Sequence, residues 1–455
     1  MSQVSYNPKD LPNIEKAKAK GNEAHGKQEY GTAVQEYTKA IGYFSTSSKP
    51  PSPPPGSGAG SWQNPAQLKC TLHCNRSAAY LGLQKYEESL KDALAADMAG
   101  WYKPFFRQGE ALTGLRRYEQ ALVAYERAIE YVGQLGAGKE DQDKDKSRLL
   151  RARIEQIVRR IKRTRRLMED EELGFRLHQI SPSRGDICGK QFMAPIQNVI
   201  FAYAKQMRNF IYFIENIASG ECLVVDACWD INGVISYAEK HKMKIVGAIA
   251  THYHVDHVGG IPPPPFDLPG IRVDGLQKLL KKLPNIQAFV SPGDVPGIIK
   301  ANPDMASKMD RLRTTADNET LVLPMSLNGE SNTGGSTTVG RSTILQFIHT
   351  PGHSPGSQCI LINGVRLLSG DTLFIGSCGR VDFPDSSVKD LYDSLQVKLA
   401  ALPDEVVIFP GHDYGGEQTT VQREKQDGLL RPIDFETFRS FLQDSTDSVP
   451  PPASL

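Results

Sequence analysis

The 455-residue chain has no uninterrupted apolar run approaching 18 residues, so its sequence gives no membrane-spanning helix. Its first stretch, MSQVSYNPKDLPNIEKAKAKG, has no apolar core of the signal-peptide kind, and the expectation is a cytoplasmic protein. An excess of one charge is also missing. Lys and Arg number 53 against 52 Asp and Glu, so neither nucleic acid nor membrane is expected as a partner. Cysteine is sparse, seven at irregular spacings, which argues for reduced thiols; Cys70 and Cys74, one helical turn apart, read as core packing. Histidine is scarce too, at ten, and this makes ATHYHVDHVGG (250–260) stand out. His252, His254, Asp256 and His257 fall within six positions of it.

The chain does contain apolar material, 39%, in a length that suggests two or three domains. Tyr30, Tyr86 and Tyr118 open similar stretches, YGTAVQEYTKAI, YEESLKDALAA and YEQALVAYERAI. The last two are 32 residues apart, close to the period of tetratricopeptide helix pairs, and the 56 residues between the first two become near-regular once a Pro/Gly/Ser-rich insert is removed. Residues 14–134 are therefore expected to form three such repeats, with 47–65 a flexible insert. A basic amphipathic pattern over Ser147–Met168, with Leu150, Ile154, Ile157, Val158 and Ile161 on one face, is expected to cap the last repeat within a linker of 135–180. Beyond it, apolar runs such as NVIFAY, NFIYFIE, CLVVDAC, KIVGAIAT and EVVIFPGH read as strands of an α/β domain over 181–440, followed by a disordered tail, 441–455.

Several of these runs end in polar clusters. His353 stands in HTPGHSPGS, Asp371 in LLSGDTLF and His412 in VIFPGHDYGG, and with the 250–260 cluster they supply imidazoles and carboxylates of the kind that hold zinc, iron or manganese in water-activating sites. Ser354 and Ser369 lie beside these residues, but no histidine is left over to serve either as a base.

These motifs resemble the metallo-β-lactamase superfamily, and within it the glyoxalase II thioesterases and persulfide dioxygenases. The resemblance covers roughly residues 185–440. It implies a multidomain chain, an all-α tetratricopeptide superhelix followed by an αββα sandwich with the site at one edge. It further implies that His252, His254 and His353 hold one metal and Asp256, His257 and His412 a second, with Asp371 bridging them. Asp226, in LVVDAC, would hold the ligand loop. In such a site two divalent ions, zinc or else iron or manganese, acidify a shared water, and Asp256 would aim it. The alternative cofactor is one Fe(II).

The segment GSCGRVDFPD places Arg380 where glyoxalase II contacts glutathione, and Tyr414 matches that family's tyrosine after the last ligand histidine. A structural ion pair is the plainer reading of Arg380. Asp382 departs from the aromatic usual in thioesterases, Val381 departs from the threonine usual in dioxygenases, and HVGG after the ligand motif is hydrolase-like. The implied function is hydrolysis of hydroxyacylglutathione-like thioesters, small thiol-derived substrates. An iron persulfide dioxygenase is the alternative, and a chaperone adaptor with a non-catalytic metal domain is the alternative of another class. In the repeats, Lys18, Asn22, Asn75, Lys103 and Arg107 resemble the carboxylate clamp of cochaperone domains, which implies binding to the Glu-Glu-Val-Asp tails of heat-shock chaperones.

Overall fold

The computed structural model describes residues 3–47, 64–96, 101–136, 144–188, 195–262, 271–325 and 341–448. They divide into two compact units, Met1–Glu169 and Asp170–Leu455. Most of the expected insert, 47–65, lies outside the described residues.

The first unit is helical. β1 (Gln3–Tyr6) pairs antiparallel with β2 (Phe44–Ser47), and between them run α1 (Leu11–Gly26) and α2 (Tyr30–Ile41). The pairs α3 (Pro65–Gly82) with α4 (Tyr86–Ala95) and α5 (Tyr102–Gly114) with α6 (Tyr118–Gly136) follow, and α7 (Lys144–Glu172) completes the row. The repeat is set by close packing of each pair. A Cβ on Gly21 would lie 2.6 Å from the ring of Tyr37, and one on Gly109 would lie 2.6 Å from that of Tyr125. In the middle repeat Ser77 stands at this position and bonds Ser89 instead (Oγ to Oγ, 2.9 Å). On α7, Ile157 and Ile161 are buried with Phe105, Tyr125 and Val132, while Leu150 and Ile154 pack alongside, so the helix covers the apolar edge of the last repeat as expected.

The second unit starts earlier than residue 181, because β3 (Phe175–Ile180) already pairs with β4 (Ile211–Asn216). β5 (Glu221–Val225), β6 (Lys244–Ile249), β7 (Gln287–Val290) and β8 (Leu312–Thr314) extend this sheet in the order β3-β4-β5-β6-β7-β8, parallel from β5 onward. The second sheet runs β14-β13-β12-β11-β10-β9, from β9 (Thr320–Leu323), β10 (Thr343–His349), β11 (Gln358–Ile362), β12 (Arg366–Gly370), β13 (Val407–Pro410) and β14 (Thr419–Thr420). Between the sheets lie Tyr212, Ile214, Val225 and Phe289 against Leu345, Phe347, Ile360 and Leu368. The outer face of the first sheet is covered by α8 (Pro195–Met207), α9 (Ile231–Lys240), α11 (Leu276–Lys282) and α12 (Val295–Ala301), with the one-turn α10 (Val255–Val258) at its rim. The outer face of the second is covered by α13 (Val388–Asp393), α14 (Val421–Asp427) and α15 (Phe435–Ser448). The unit is an αββα sandwich. β5 is buried along almost its whole length, as a strand covered on both faces must be.

Three expectations are corrected. NVIFAY is part of α8, not a strand: Ile200, Phe201, Ala204 and Met207 are buried at helical spacing while Val199 is exposed. α6 runs past residue 134, the expected end of the repeats, to Gly136. Residues 441–448, assigned to a tail, belong to α15, whose Phe438 is fully buried.

A buried ion pair ties the start of this unit to its second sheet, Arg366 with Asp170 at 2.7 Å. Replacing Arg366 by Met takes a charged partner from the buried Asp170 carboxylate, and urea unfolding should show a loss of about 3–5 kcal/mol, most of it recovered when Asp170 is also made Leu. A single variant as stable as the parent would mean the pair does not hold the unit together.

Candidate metal centre and peptide groove

The site is assembled at the strand ends of both sheets. β6 runs into Thr251 and His252, His254 caps α10, and α10 carries Asp256 and His257. His353 lies in the turn between β10 and β11, Asp371 directly follows β12, and His412 follows β13. All seven side chains come together. The potential ligand atoms of His252, His254 and His353 lie within 4.8 Å of one another, as do those of His252, His257 and Asp371 and those of Asp256, His257 and His412. Asp371 sits between the groups, with Oδ2 3.7 Å from His353 Nε2 and 3.4 Å from His412 Nε2, and Oδ1 3.5 Å from His257 Nε2.

The rings are aimed from behind. His257 Nδ1 donates to Asp226 Oδ2 (2.9 Å), His353 Nδ1 to the Arg380 carbonyl (2.7 Å) and His412 Nδ1 to the Met207 carbonyl (2.8 Å). His252 Nδ1 donates to Thr251 Oγ1 (3.0 Å), which in turn donates to Asp226 Oδ2 (2.7 Å). With Nδ1 occupied in this way, Nε2 of each of these rings faces the cluster, the arrangement of a metal-ligating histidine. Asp226 also accepts the Thr251 N–H (2.8 Å) and adopts a left-handed conformation, φ 54°, to do so. Two glycines make room: a Cβ on Gly411 would lie 2.3 Å from Asp371 Oδ1, and one on Gly379 would lie 2.7 Å from His353 Nδ1.

A cation fits these residues. His252 Nε2, His353 Nε2 and Asp371 Oδ1 are buried with no hydrogen-bond partner, a cost that a shared ion would remove. Burial, reinforced by neighbouring histidines, holds His252 and His254 neutral, and burial also lowers His353. Burial alone would lower His257, but Asp371, Asp256 and Asp226 outweigh it and hold it at about 10; the same kind of balance raises His412. Burial would raise Asp371, but His412 and His257 keep it well below the usual carboxylate range. The cluster as a whole favours positive charge among its carboxylates.

The two residues assigned to substrate flank the cluster on opposite sides. Arg380 is paired with Asp382 through Nε (2.9 Å) and a terminal nitrogen (2.6 Å), the plainer reading of that residue, and it also lies over Phe383 (4.9 Å), whose ring meets His254 edge-on. Phe383, one position after Asp382, thus places an aromatic ring beside the cluster. The Tyr414 ring stacks on His412 at 4.6 Å and meets Phe374, and burial, with Asp371 and Asp256 behind it, raises its hydroxyl pKa. Sequence reasoning missed Asn209, which is fully buried and donates to Asp256 Oδ2 at 3.1 Å.

In the first unit the residues of the expected clamp lie on α1, α3 and α5. Asn75 Nδ2 donates to Asn22 Oδ1 (3.1 Å), which also accepts from the Tyr37 hydroxyl (2.8 Å). α5 packs on α3, and there Lys103 and Arg107 lower the Cys74 thiol pKa against the larger upward push of burial. Lys18 and Arg107 are each held by a local acid, Glu15 at 2.7 Å and Glu110 at 2.5 Å. Lys18, Asn22 and Asn75 lie within their helices.

Residues 206–263 and 285–412 match the family model described as Metallo-beta-lactamase superfamily. Over 211 residues the chain is 30% identical to an uncharacterized protein of Aquifex aeolicus, spanning 46% of this chain and 84% of that one. It is 28% identical to a cytoplasmic hydroxyacylglutathione hydrolase of Arabidopsis thaliana over 211 residues, 45% of this chain and 64% of that protein, and 25% identical to the mitochondrial persulfide dioxygenase of Mus musculus over 261 residues, 57% and 80%. The first unit is similar to the Sgt2 TPR domain of Aspergillus fumigatus, with 25% identity, 36% of this chain, 84% of that chain and a TM-score of 0.25. The chain thus belongs, through its second unit, to the metallo-beta-lactamase superfamily. Among the described residues no helix is long and apolar enough to cross a membrane.

Proposed function

We propose that the second unit is a metal-dependent hydrolase of small thioesters and that the first unit binds carboxylate-ending peptide tails, those of heat-shock chaperones with Glu-Glu-Val-Asp termini among them. The observation that carries the enzymatic reading is the set of buried, unpartnered acceptors on His252, His353 and Asp371 beside the Asp256 carboxylate. His252, His254, His353 and Asp371 would hold the ion, with Asp256, His257 and His412 adjoining. A bound divalent ion supplies Lewis acidity and an acidified water.

The chain's own groups do the rest. Asp256 is buried, carries its negative charge toward the ligand cluster and can take a proton or orient a water there. Side-chain nucleophiles are not offered: Ser354 Oγ donates to Asp294 (2.8 Å) and Ser369 Oγ to the Leu373 carbonyl (2.6 Å). Phe374, Tyr414 and Phe383 give an apolar rim that can exclude water from a bound acyl group. The relative named a hydroxyacylglutathione hydrolase supports this substrate class, and its cytoplasmic label supports a cytoplasmic setting.

One observation favours a second reading, an iron persulfide dioxygenase: the unpartnered set is two histidines and one carboxylate, the donors of oxygen-activating iron sites. The test separates the two. Full-length protein loaded with zinc or, anaerobically, with iron is assayed for hydrolysis of a glutathione thioester and for oxygen uptake on glutathione persulfide. Hydrolysis without oxygen uptake supports the hydrolase; uptake by the iron form without hydrolysis replaces it with the dioxygenase.

A further inference from the structure

The two halves of the cluster meet at Asp371, whose unpartnered Oδ1 lies 3.5 Å from His257 Nε2; in the first half His252 Nε2 and His353 Nε2 are also unpartnered. In the second, Asn209 Nδ2 lies 3.1 Å from Asp256 Oδ2, 3.4 Å from His257 Nε2 and 3.3 Å from His412 Nε2. Those three atoms are themselves 3.2–3.6 Å apart, so the four form a nearly regular tetrahedron. Its size is that of the ligand shell around one zinc-like ion, whose bonds are about 2.0–2.1 Å.

The fourth vertex is a donor. Trp229 Nε1, which can only donate, gives its hydrogen to Asn209 Oδ1 at 3.0 Å, and this turns the amide NH2 toward the three acceptors. An amide NH2 has no lone pair to offer a cation, and its positive hydrogens face the place where one would sit. His257 and His412 have committed Nδ1 elsewhere, so their Nε2 atoms face each other at 3.2 Å beside the amide. Nor can it swing away easily: Asn209 is bridged to His412, with the Phe210 N–H on the Gly411 carbonyl (2.8 Å) and the Asp413 N–H on the Arg208 carbonyl (3.0 Å).

We propose that the Asn209 amide caps the Asp256–His257–His412 group and makes it a much weaker cation site than the His252–His254–His353 group. The chain then retains one metal ion tightly and admits a second only when the amide is displaced. This rests on the reading of the cluster as a metal centre and adds a positioning residue that sets its occupancy. Asn209 acts through the ligands and need not touch substrate.

The experiment is a zinc titration of the chelator-stripped full chain, with metal per chain counted by elemental analysis after desalting and affinities read by calorimetry. The parent should retain one equivalent and bind a second at least tenfold more weakly. Asn209→Ala should close that gap and retain two. Asn209→Asp keeps the shape, still accepts from Trp229 and adds a ligand oxygen, so it should retain two even if the alanine variant folds poorly, and a thermal melt reports folding for both. Two equivalents of equal affinity in the parent, or a folded Asn209→Asp that stays at one, overturns the proposal. No retained zinc in any form overturns the metal-centre reading and the proposal with it.

Discussion

Replacing Asp371 by alanine should lower turnover on the order of 10³-fold or more, because loss of a carboxylate proposed to hold the ion removes several kcal/mol of charge stabilisation from the transition state. Metal retained after desalting should fall with it. Among the described residues Asp371 is the carboxylate that lies within 3.4–3.7 Å of His353, His257 and His412 together. The contrast is Asp226→Asn. Asparagine tolerates the left-handed backbone there and keeps one oxygen to accept the Thr251 N–H, but it puts an NH2 where an oxygen faced Thr251 Oγ1 and His257 Nδ1, and it withdraws the charge behind His257. A partner standing behind a ligand in this way is worth about 10–100-fold in activity or metal affinity. Steady-state kinetics with elemental analysis on both variants decides the matter: an Asp371→Ala protein that keeps its metal and rate would refute the site, and equal losses in the two variants would refute the division of roles.

The second large effect is on peptide binding. Lys103→Ala with Arg107→Ala should weaken binding of a Glu-Glu-Val-Asp peptide by 10²-fold or more, since each lost charge-assisted hydrogen bond is worth about 1.5–3 kcal/mol. Arg107 already pairs with Glu110, so the peptide has to compete with that acid. Arg160, 3.1 Å from Glu110, keeps the acid partnered when Arg107 turns to a ligand. Binding should also weaken as salt is raised, because the attraction acts between part-exposed charges. Fluorescence anisotropy at two ionic strengths measures both effects. Catalytic turnover should be unchanged in the same double variant, and tail affinity equal to the parent's would remove the clamp from the proposal.

That these His and Asp residues come together was legible because they are chemically distinctive and sit at the ends of apolar runs: His252 to His257 after one strand, and Asp371 and His412 after two others. Asn209 was not legible. Its role depends on the start of β4 lying beside the residue after β13, a pairing across 203 positions that no local pattern reveals. Gly411 and Gly379 escaped for the same reason, since what they make room for is distant in sequence. NVIFAY failed differently: a short apolar run has no period of its own, and the buried face of α8 emerges only when Ala204 and Met207 are included. β3, with half its residues polar, was hidden in an arginine-rich stretch whose helical signal is stronger.

The placement of the seven groups has one more consequence. Four come from the loop after β6 in the first sheet, and three from loops of the second. Neither sheet alone presents a full set, so an ion that binds the docked sandwich has little affinity for either half or for the unfolded chain. Each tenfold excess of free metal over its dissociation constant then adds about 1.4 kcal/mol to the native state. A melting curve recorded against metal concentration would report how firmly the two sheets are joined.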